Sequence, residues 1–206
     1  MALSPVPAKK VKKAGPVSAI VLILGGIYAV EGGYVNDRND PGGATNYGVT
    51  EKVARSAGYA GDMRYFPKRC TDATPTCADE IYTRDYIAAP GYMPMVTVAP
   101  AVADKLANTA VNMGMARPNK WFRQSLSLPA NGGPLGRSDY AAYQALENKV
   151  GDVVACQRVL VTFSAAQESE YNRLIRINRK LAKFRNGWIA RARDLHPSGI
   201  GCEVQP

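Results

Sequence analysis

The sequence predicts a mainly α-helical fold with at most a small β-hairpin. Its 206 residues suit one domain or two small ones, so the chain is long enough to bury a core. Apolar residues recur at helical spacing in most segments between turn clusters. The exception is the polar, glycine-rich stretch after Val30, which fits a hairpin or irregular loops.

The first predicted element is an apolar helix. Residues 1–13 contain four lysines and no acid, and the following stretch Ala14–Val30, AGPVSAIVLILGGIYAV, carries no charge. A helix of this length spans roughly 25 Å, slightly less than a hydrocarbon core of about 30 Å. A cleaved signal peptide, an uncleaved anchor and a buried core helix are the alternatives. We expect an uncleaved membrane-targeting segment whose lysines keep the N-terminus in the cytoplasm.

A polar loop follows at once, EGGYVNDRNDPGGATNYGVT (Glu31–Thr50), and its glycines and proline favour turns. Thr50 is the predicted N-cap of a short helix to about Ala57. Residues 58–76 are expected to be loops.

Helices account for most of the remaining chain. Connectors are expected at residues 89–100 and 129–139, where proline and glycine cluster. The predicted helices are about Cys77–Ile87, Ala101–Met113, Pro118–Leu128, one from Ser138 or Asp139 through Leu146, a short helix or connector at Val150–Val161, and a long amphipathic helix at Ala165–Arg193.

The formal charge of +9 favours an anionic partner such as nucleic acid, anionic lipid or a cell-wall polymer. The last predicted helix is the most basic, with eight Lys or Arg residues between Tyr171 and His196 against one acid, Asp194. A solvated basic face behind an apolar one is the simpler interpretation. No DNA- or RNA-binding motif accompanies this charge, so we expect no nucleic-acid partner.

Cysteine and histidine usage restricts the chemistry. The four cysteines contain no C-x-x-C pair and fit either two disulfides in an oxidising compartment or buried thiols. The single histidine, His196, lies near the C-terminus, which excludes a His-rich zinc site and argues against a Ser–His–Asp triad. We therefore expect no metal and no cofactor, and any catalysis should use carboxylates.

Glu31 is the candidate acid. Glycoside hydrolysis requires a carboxylic acid that protonates the leaving oxygen and usually a second carboxylate. Glu31 ends an apolar run, where burial would raise its pKa. A short glycine-rich loop can bring Asp40 across a cleft from it, and Thr45, Asn46 and Tyr47 offer neutral hydrogen-bonding groups.

Each of these residues also has a simpler interpretation. Glu31 would fit the boundary between membrane and water, and Asp37 and Asp40 would fit turn positions before Pro41.

The stretch Glu31–Thr50 resembles the signature of glycoside hydrolase family 108, the N-acetylmuramidases of bacteria and phages. The resemblance implies a lysozyme-like (α+β) fold with Glu31 as the catalytic acid. Further along, ADKLANTAVNMG is similar to the family's F-D-x-x-V-N-x-G helix through Asp104, Asn112 and Gly114.

We assign candidate roles on this basis. Glu31, Asp40 and Thr45 are the catalytic candidates. Phage lysozymes of a broader kind use E-x8-D-x5-T, and Glu31 and Asp40 satisfy its first interval. Only four residues separate Asp40 from Thr45, whereas the pattern has five. Asp37 remains an alternative second carboxylate. The substrate-binding candidates are Tyr34, Asn46, Tyr47 and Asn112.

The C-terminal half is similar to a small helical module, named for peptidoglycan binding, that usually follows this signature. The segments that carry the likeness are WFRQSLSLPANGGPLG and KFRNGWIARAR. The expected organisation is a basic N-terminus with an apolar helix over residues 1–30, a catalytic region over 31–117 and a helical module over 118–206.

A basic start, a weak apolar span and an immediate catalytic motif resemble a signal-arrest-release endolysin of a phage that infects Gram-negative bacteria. The resemblance implies a precursor held in the host inner membrane through residues 14–30 with its N-terminus in the cytoplasm, then a periplasmic enzyme. Its substrate would be peptidoglycan, and we expect a monomer.

Two other functions compete with this one, a non-catalytic membrane-anchored wall-binding protein and a bacterial muramidase that assists secretion. In the oxidising compartment we expect a local Cys70–Cys77 disulfide, which would leave Cys156 to pair with Cys202. Four cysteines allow three pairings, and the sequence does not select among them.

Overall fold

The computed structural model describes residues 16–36 and 42–203. This part of the chain is mainly helical with one two-stranded antiparallel sheet, which confirms the mainly helical fold and the small hairpin and agrees with a lysozyme-like fold. The elements are α1 (Pro16–Glu31), β1 (Thr45–Asn46), β2 (Val49–Thr50), α2 (Glu51–Ser56), α3 (Ala78–Thr83), α4 (Met93–Val98), α5 (Pro100–Met113), α6 (Ala116–Ser125), α7 (Arg137–Val150), α8 (Asp152–Ile177) and α9 (Arg185–Arg193).

Helix α5 is the centre of the fold. Every residue from Pro100 to Ala110 is buried, and the helix packs against α1, α4, α6 and α8. Asp104 and Lys105 lie in this buried run, so two charged side chains are inside the protein and must find partners there.

Helix α1 packs with one face in the core and the other in solvent. Ile23, Leu24 and Ile27 are buried, and the helix contacts α3, α4 and α5. Val17 and Val21 on the other face are exposed. The predicted apolar N-terminal helix therefore exists, and it supplies part of the hydrophobic core. Among the described residues, no helix combines the length and the apolar character needed to cross a bilayer.

The C-terminal prediction was wrong about where one helix ends. Helix α8 is continuous over 26 residues, including 162–164, where the sequence predicted an interruption. The Ser164 hydroxyl donates to the carbonyl of Ala192 at 2.6 Å, so this polar residue is a contact to α9 rather than a helix end. The real interruption is at Asn178, whose side chain accepts from the Lys180 amide and starts a 3₁₀ turn, Arg179–Phe184.

Other predicted boundaries agree more closely. Thr50 caps α2 by accepting a hydrogen bond from the Val53 amide, as expected. The predicted connector at residues 89–100 instead contains α4, because Pro94 at the first turn is compatible with a helix start. The division at residue 117 stays a prediction, although Leu106 and Phe122 on its two sides belong to one hydrophobic cluster.

Both expected disulfides are present, Cys70–Cys77 and Cys156–Cys202. The first closes a local loop before α3. The second joins α8 to the C-terminal segment, so the end of the described chain is covalently fixed to the helical core.

Candidate active site

Glu31 is the last residue of α1, and Gly32 follows it with a φ of +75°, a backbone conformation that favours glycine and ends the helix. The carboxyl is half-buried. Burial raises the pKa of Glu31, and the positive charge of Arg191 opposes the rise. The C-terminal end of a helix is also unfavourable for a negative charge. The protonated form of Glu31 is therefore more favourable here than for a glutamate in water.

The hairpin turn lies directly against this carboxyl. Tyr47 and Gly48 have φ of 51° and 75°, which matches the two-residue type I′ turn between β1 and β2. A Cβ atom on Gly48 would lie 2.8 Å from Glu31 Cβ and 2.9 Å from its Oε2. A side chain at Gly48 would therefore displace the acid.

Three tyrosines hold the helix and the hairpin together. The Tyr82 hydroxyl donates to the Tyr47 carbonyl at 3.0 Å. Tyr28 makes edge contacts with Tyr47 and Tyr82, with ring centroids 6.1 Å and 5.6 Å apart, and its hydroxyl donates to Asp79 at 2.6 Å.

Tyr82 and Tyr86 also interact electrostatically with Glu31. Burial raises the pKa of both phenols, and the negative charge of Glu31 raises them further. Their hydroxyls therefore stay neutral.

The hairpin candidates occupy different positions. Thr45 exchanges backbone hydrogen bonds with Val35 at 2.8 Å and 2.7 Å, which ties the loop after α1 to the hairpin. Asn46 is buried, and its amide donates to the Met63 carbonyl at 2.8 Å, a contact that holds the hairpin in place. Tyr47 lies at the turn beside Glu31.

The remaining candidates lie elsewhere or outside the described residues. Tyr34 is exposed and lines a groove with Asp62 and Arg64, and the lining of this groove does not include Glu31. Asn112, exposed on α5, accepts from the Tyr171 hydroxyl at 2.8 Å. Asp40 and its rival Asp37 lie outside the described residues. The roles assigned to all of these residues stay predictions.

Sequence reasoning missed four residues around the acid. Tyr28 lies three positions before Glu31, which is the spacing of neighbours on one helix face. Tyr82 and Tyr86, four positions apart within the predicted helix Cys77–Ile87, carry the same kind of signal. Arg191 is 160 positions further along the chain than Glu31, and no local pattern indicates that the two would meet.

Within the described residues, no group of three or more His, Cys, Asp or Glu side chains is arranged to hold a metal ion.

Comparisons with known proteins agree with the geometry. Residues 24–114 match the family model described as Glycosyl hydrolase 108. Among solved structures, the chain is similar to SagA of Brucella abortus, with 20% identity and a TM-score of 0.58 over 86% of this chain and 91% of that chain. At this identity the likeness shows the fold alone. No curated protein matches the chain.

The matched region contains the second half of α1 with Glu31, the hairpin, the tyrosines that surround the acid, and α5. Glu31 is near the N-terminal end of the matched region, and the hairpin turn and tyrosines that surround its carboxyl belong to the same region. On this match and this geometry, the protein is a glycoside hydrolase, and its residues 24–114 are similar to the glycosyl hydrolase 108 family.

Proposed function

We propose that the protein hydrolyses the β-1,4 bond between N-acetylmuramic acid and N-acetylglucosamine in peptidoglycan, with Glu31 as general acid. The observation that carries the proposal is the half-buried Glu31, whose pKa is raised by burial, inside the matched region. The positive net charge of +9 suits an anionic wall polymer.

In this mechanism Glu31 donates its proton to the glycosidic oxygen as the bond to the anomeric carbon breaks. Burial favours the protonated form of Glu31 before the transfer. Arg191 stabilises the carboxylate that remains after the transfer. Asp40 is our proposed second carboxylate, and Thr45 would orient the attacking water.

Glu31→Gln tests the assignment, because the amide keeps the shape of the side chain but has no proton to transfer. We expect it to lower wall digestion by about 10²–10⁴-fold, the usual contribution of a general acid. Digestion of purified peptidoglycan followed by mass spectrometry identifies the reducing-end sugar. Fragments ending in N-acetylmuramic acid support the proposed bond, and fragments ending in N-acetylglucosamine contradict it.

Glu147→Gln is the matched control. Burial also raises the pKa of Glu147, but this residue lies on α7 and outside the matched region. The control should digest peptidoglycan like the parent. Digestion that survives in Glu31→Gln would exclude Glu31 as the acid.

We also propose that the enzyme is a phage endolysin, exported as a membrane-tethered precursor and activated by release. Two observations support this proposal. Lysines precede Ala14, and the apolar segment that would lie in the membrane also forms part of the core of the folded enzyme. Its residues Ile23 and Ile27 belong to the enzyme's core, so a segment held in lipid would leave that core incomplete.

Gly25→Leu tests the tether. Gly25 faces open space, with nothing within 4 Å of a Cβ atom there, so leucine raises the apolarity of the segment without a clash in the folded enzyme. We expect more protein in the membrane fraction and later lysis, with Gly25→Ser as the polar control. Release at the parental rate in Gly25→Leu would contradict the proposal.

A further inference from the structure

The turn near the C-terminus, residues 196–199, packs between α1 and α5, and we name it the C-terminal clasp. Ser198 is at its centre. The Ser198 backbone amide donates to Asp104 Oδ2 at 2.9 Å and its hydroxyl donates to Oδ1 at 2.6 Å, so one residue supplies a hydrogen bond to each carboxylate oxygen. Asp104 has no exposed surface, which makes these bonds the compensation for burying it.

The clasp also contacts the helix that carries the acid. Ser198 Oγ lies 3.4 Å from the Ile23 carbonyl oxygen. A Cβ atom on Gly26 would lie 2.8 Å from Ser198 Cβ and 3.0 Å from its Cα, closer than real Cβ contacts allow. The clasp therefore packs closely against α1 because Gly26 has no side chain. The adjacent Gly25 faces open space.

Two further contacts fix the segment that bears the clasp. The Cys156–Cys202 disulfide joins its C-terminal side to α8, and Ile200 is 2% exposed. On its N-terminal side, Lys105 Nζ donates to the carbonyls of Arg191, Ala192 and Asp194 at 3.0, 3.0 and 2.6 Å. The same segment therefore holds both α1 and Arg191, the cation that acts on Glu31.

Apolar contacts such as those of Ile23 and Ile27 are non-directional and tolerate small shifts of a helix along its axis. Hydrogen bonds and close backbone approach do not tolerate such shifts. We propose that Ser198, held by Asp104 and seated on Gly26, is a positioning residue that sets the depth of α1 and so the placement of Glu31. This inference rests on the proposed role of Glu31.

Gly26→Ala and Gly25→Ala form a matched pair for the test. Both sites are helical with ordinary φ, so alanine brings the same gain in helix propensity at each. Only the alanine at position 26 meets Ser198. With purified full-length enzyme, we expect Gly26→Ala to lower kcat by roughly ten- to a hundred-fold, the cost of misplacing a catalytic group by about 1 Å, with little change in KM. Gly25→Ala should retain parental kcat.

The pH profile separates positioning from plain destabilisation. A displaced Glu31 would be more hydrated, so its pKa should fall and the alkaline limb of kcat should move to lower pH. The groups that act on this carboxyl are Arg191, Tyr82 and Tyr86, and none of them is altered. An unchanged alkaline limb in Gly26→Ala would overturn the proposal, as would parental kcat.

A double variant tests whether the two residues act through one contact. Gly26→Ala and Ser198→Gly both disrupt the contact between α1 and the clasp, so the double variant should lose no more kcat than Gly26→Ala alone. Additive losses would contradict the inference. If Gly26→Ala does not fold, as judged by circular dichroism, Ser198→Ala replaces it and should show the same fall in kcat and the same shift of the pH limb.

The two proposals fail differently. Digestion that survives in Glu31→Gln would remove the proposed function itself. An inactive Glu31→Gln beside a fully active Gly26→Ala would remove only the role of the clasp.

Discussion

At the scale of single residues, the balance of forces on Glu31 decides how the enzyme responds to pH. Burial raises the pKa of this carboxyl and Arg191 lowers it. A general acid must be protonated when substrate binds, so the alkaline limit of activity follows the pKa of Glu31.

Arg191→Gln removes the opposing charge and should raise the pKa of Glu31 further. We expect the alkaline limb of kcat to move to higher pH, as measured by digestion rates across a buffer series. The backbone carbonyl of residue 191 can still accept from Lys105, so we expect the fold to be retained. Arg193→Gln, whose exposed guanidinium pairs with Glu168, is the control and should leave the limb in place.

Asp104 makes stability depend on pH. Burial raises its pKa to about 6, above the ordinary 3.8, while hydrogen bonds from Ser198 oppose the rise. The folded state therefore binds this proton more tightly than the unfolded state. The resulting stability is fully present below about pH 3.8 and is lost as pH rises through 6. The contribution is on the order of 3 kcal/mol.

Asp104→Asn should flatten this dependence. We expect the free energy of unfolding, measured by urea titration, to change less between pH 4 and pH 7 in the variant than in the parent. An exposed substitution, Asp62→Asn, should keep the parental slope over this range. Equal slopes in the parent and Asp104→Asn would contradict the assignment.

At the scale of elements, the site is the junction of a helix end with a hairpin turn. The sequence predicted both because their signals are local, namely an apolar run ending at Glu31, a glycine-rich loop and the Thr50 cap. The effect of Arg191 on Glu31 and the contact of the clasp with α1 were not predicted. Both arise from the tertiary fold, and periodicity carries no information on such pairs. The continuity of α8 was missed for the same reason, since Ser164 bonds to Ala192 on another helix.

Gly48→Ala tests the junction. Its φ of +75° is strained for alanine, and the new methyl would meet Glu31 and Tyr82. Gly151→Ala has a φ of +86° and a ψ of 154° with nothing within 4 Å, so it carries at least as much backbone strain without the clash. Both should lose at least about 1–2 kcal/mol of stability in thermal melts, but Gly48→Ala alone should also lose most of its activity. Equal activities would show that the turn does not shape the site.

At the scale of the whole molecule, the two disulfides stabilise the fold unequally. Their sequence separations are 7 for Cys70–Cys77 and 46 for Cys156–Cys202. Closing the longer loop removes more entropy from the unfolded chain, which corresponds to roughly 4 kcal/mol against about 2 for the shorter loop.

Replacing Cys156 and Cys202 with serine should therefore lower the melting temperature more than replacing Cys70 and Cys77. The Cys156–Cys202 disulfide also fixes the segment that bears the clasp, so its loss should reduce kcat in the protein that remains folded. Calorimetry of the two double variants gives the comparison, and an equal or reversed order of melting temperatures would contradict it.

Ser198 lies near the end of the chain and Ile23 near its start, 175 positions apart, yet they meet. A nascent chain that has been translated only to residue 195 lacks the clasp, so α1 has nothing to pack against at this place. We therefore expect a chain truncated after Leu195 to leave peptidoglycan intact in a digestion assay, even though every residue of the matched region is present. The cell that synthesises this hydrolase would be spared its activity until translation has passed Ser198.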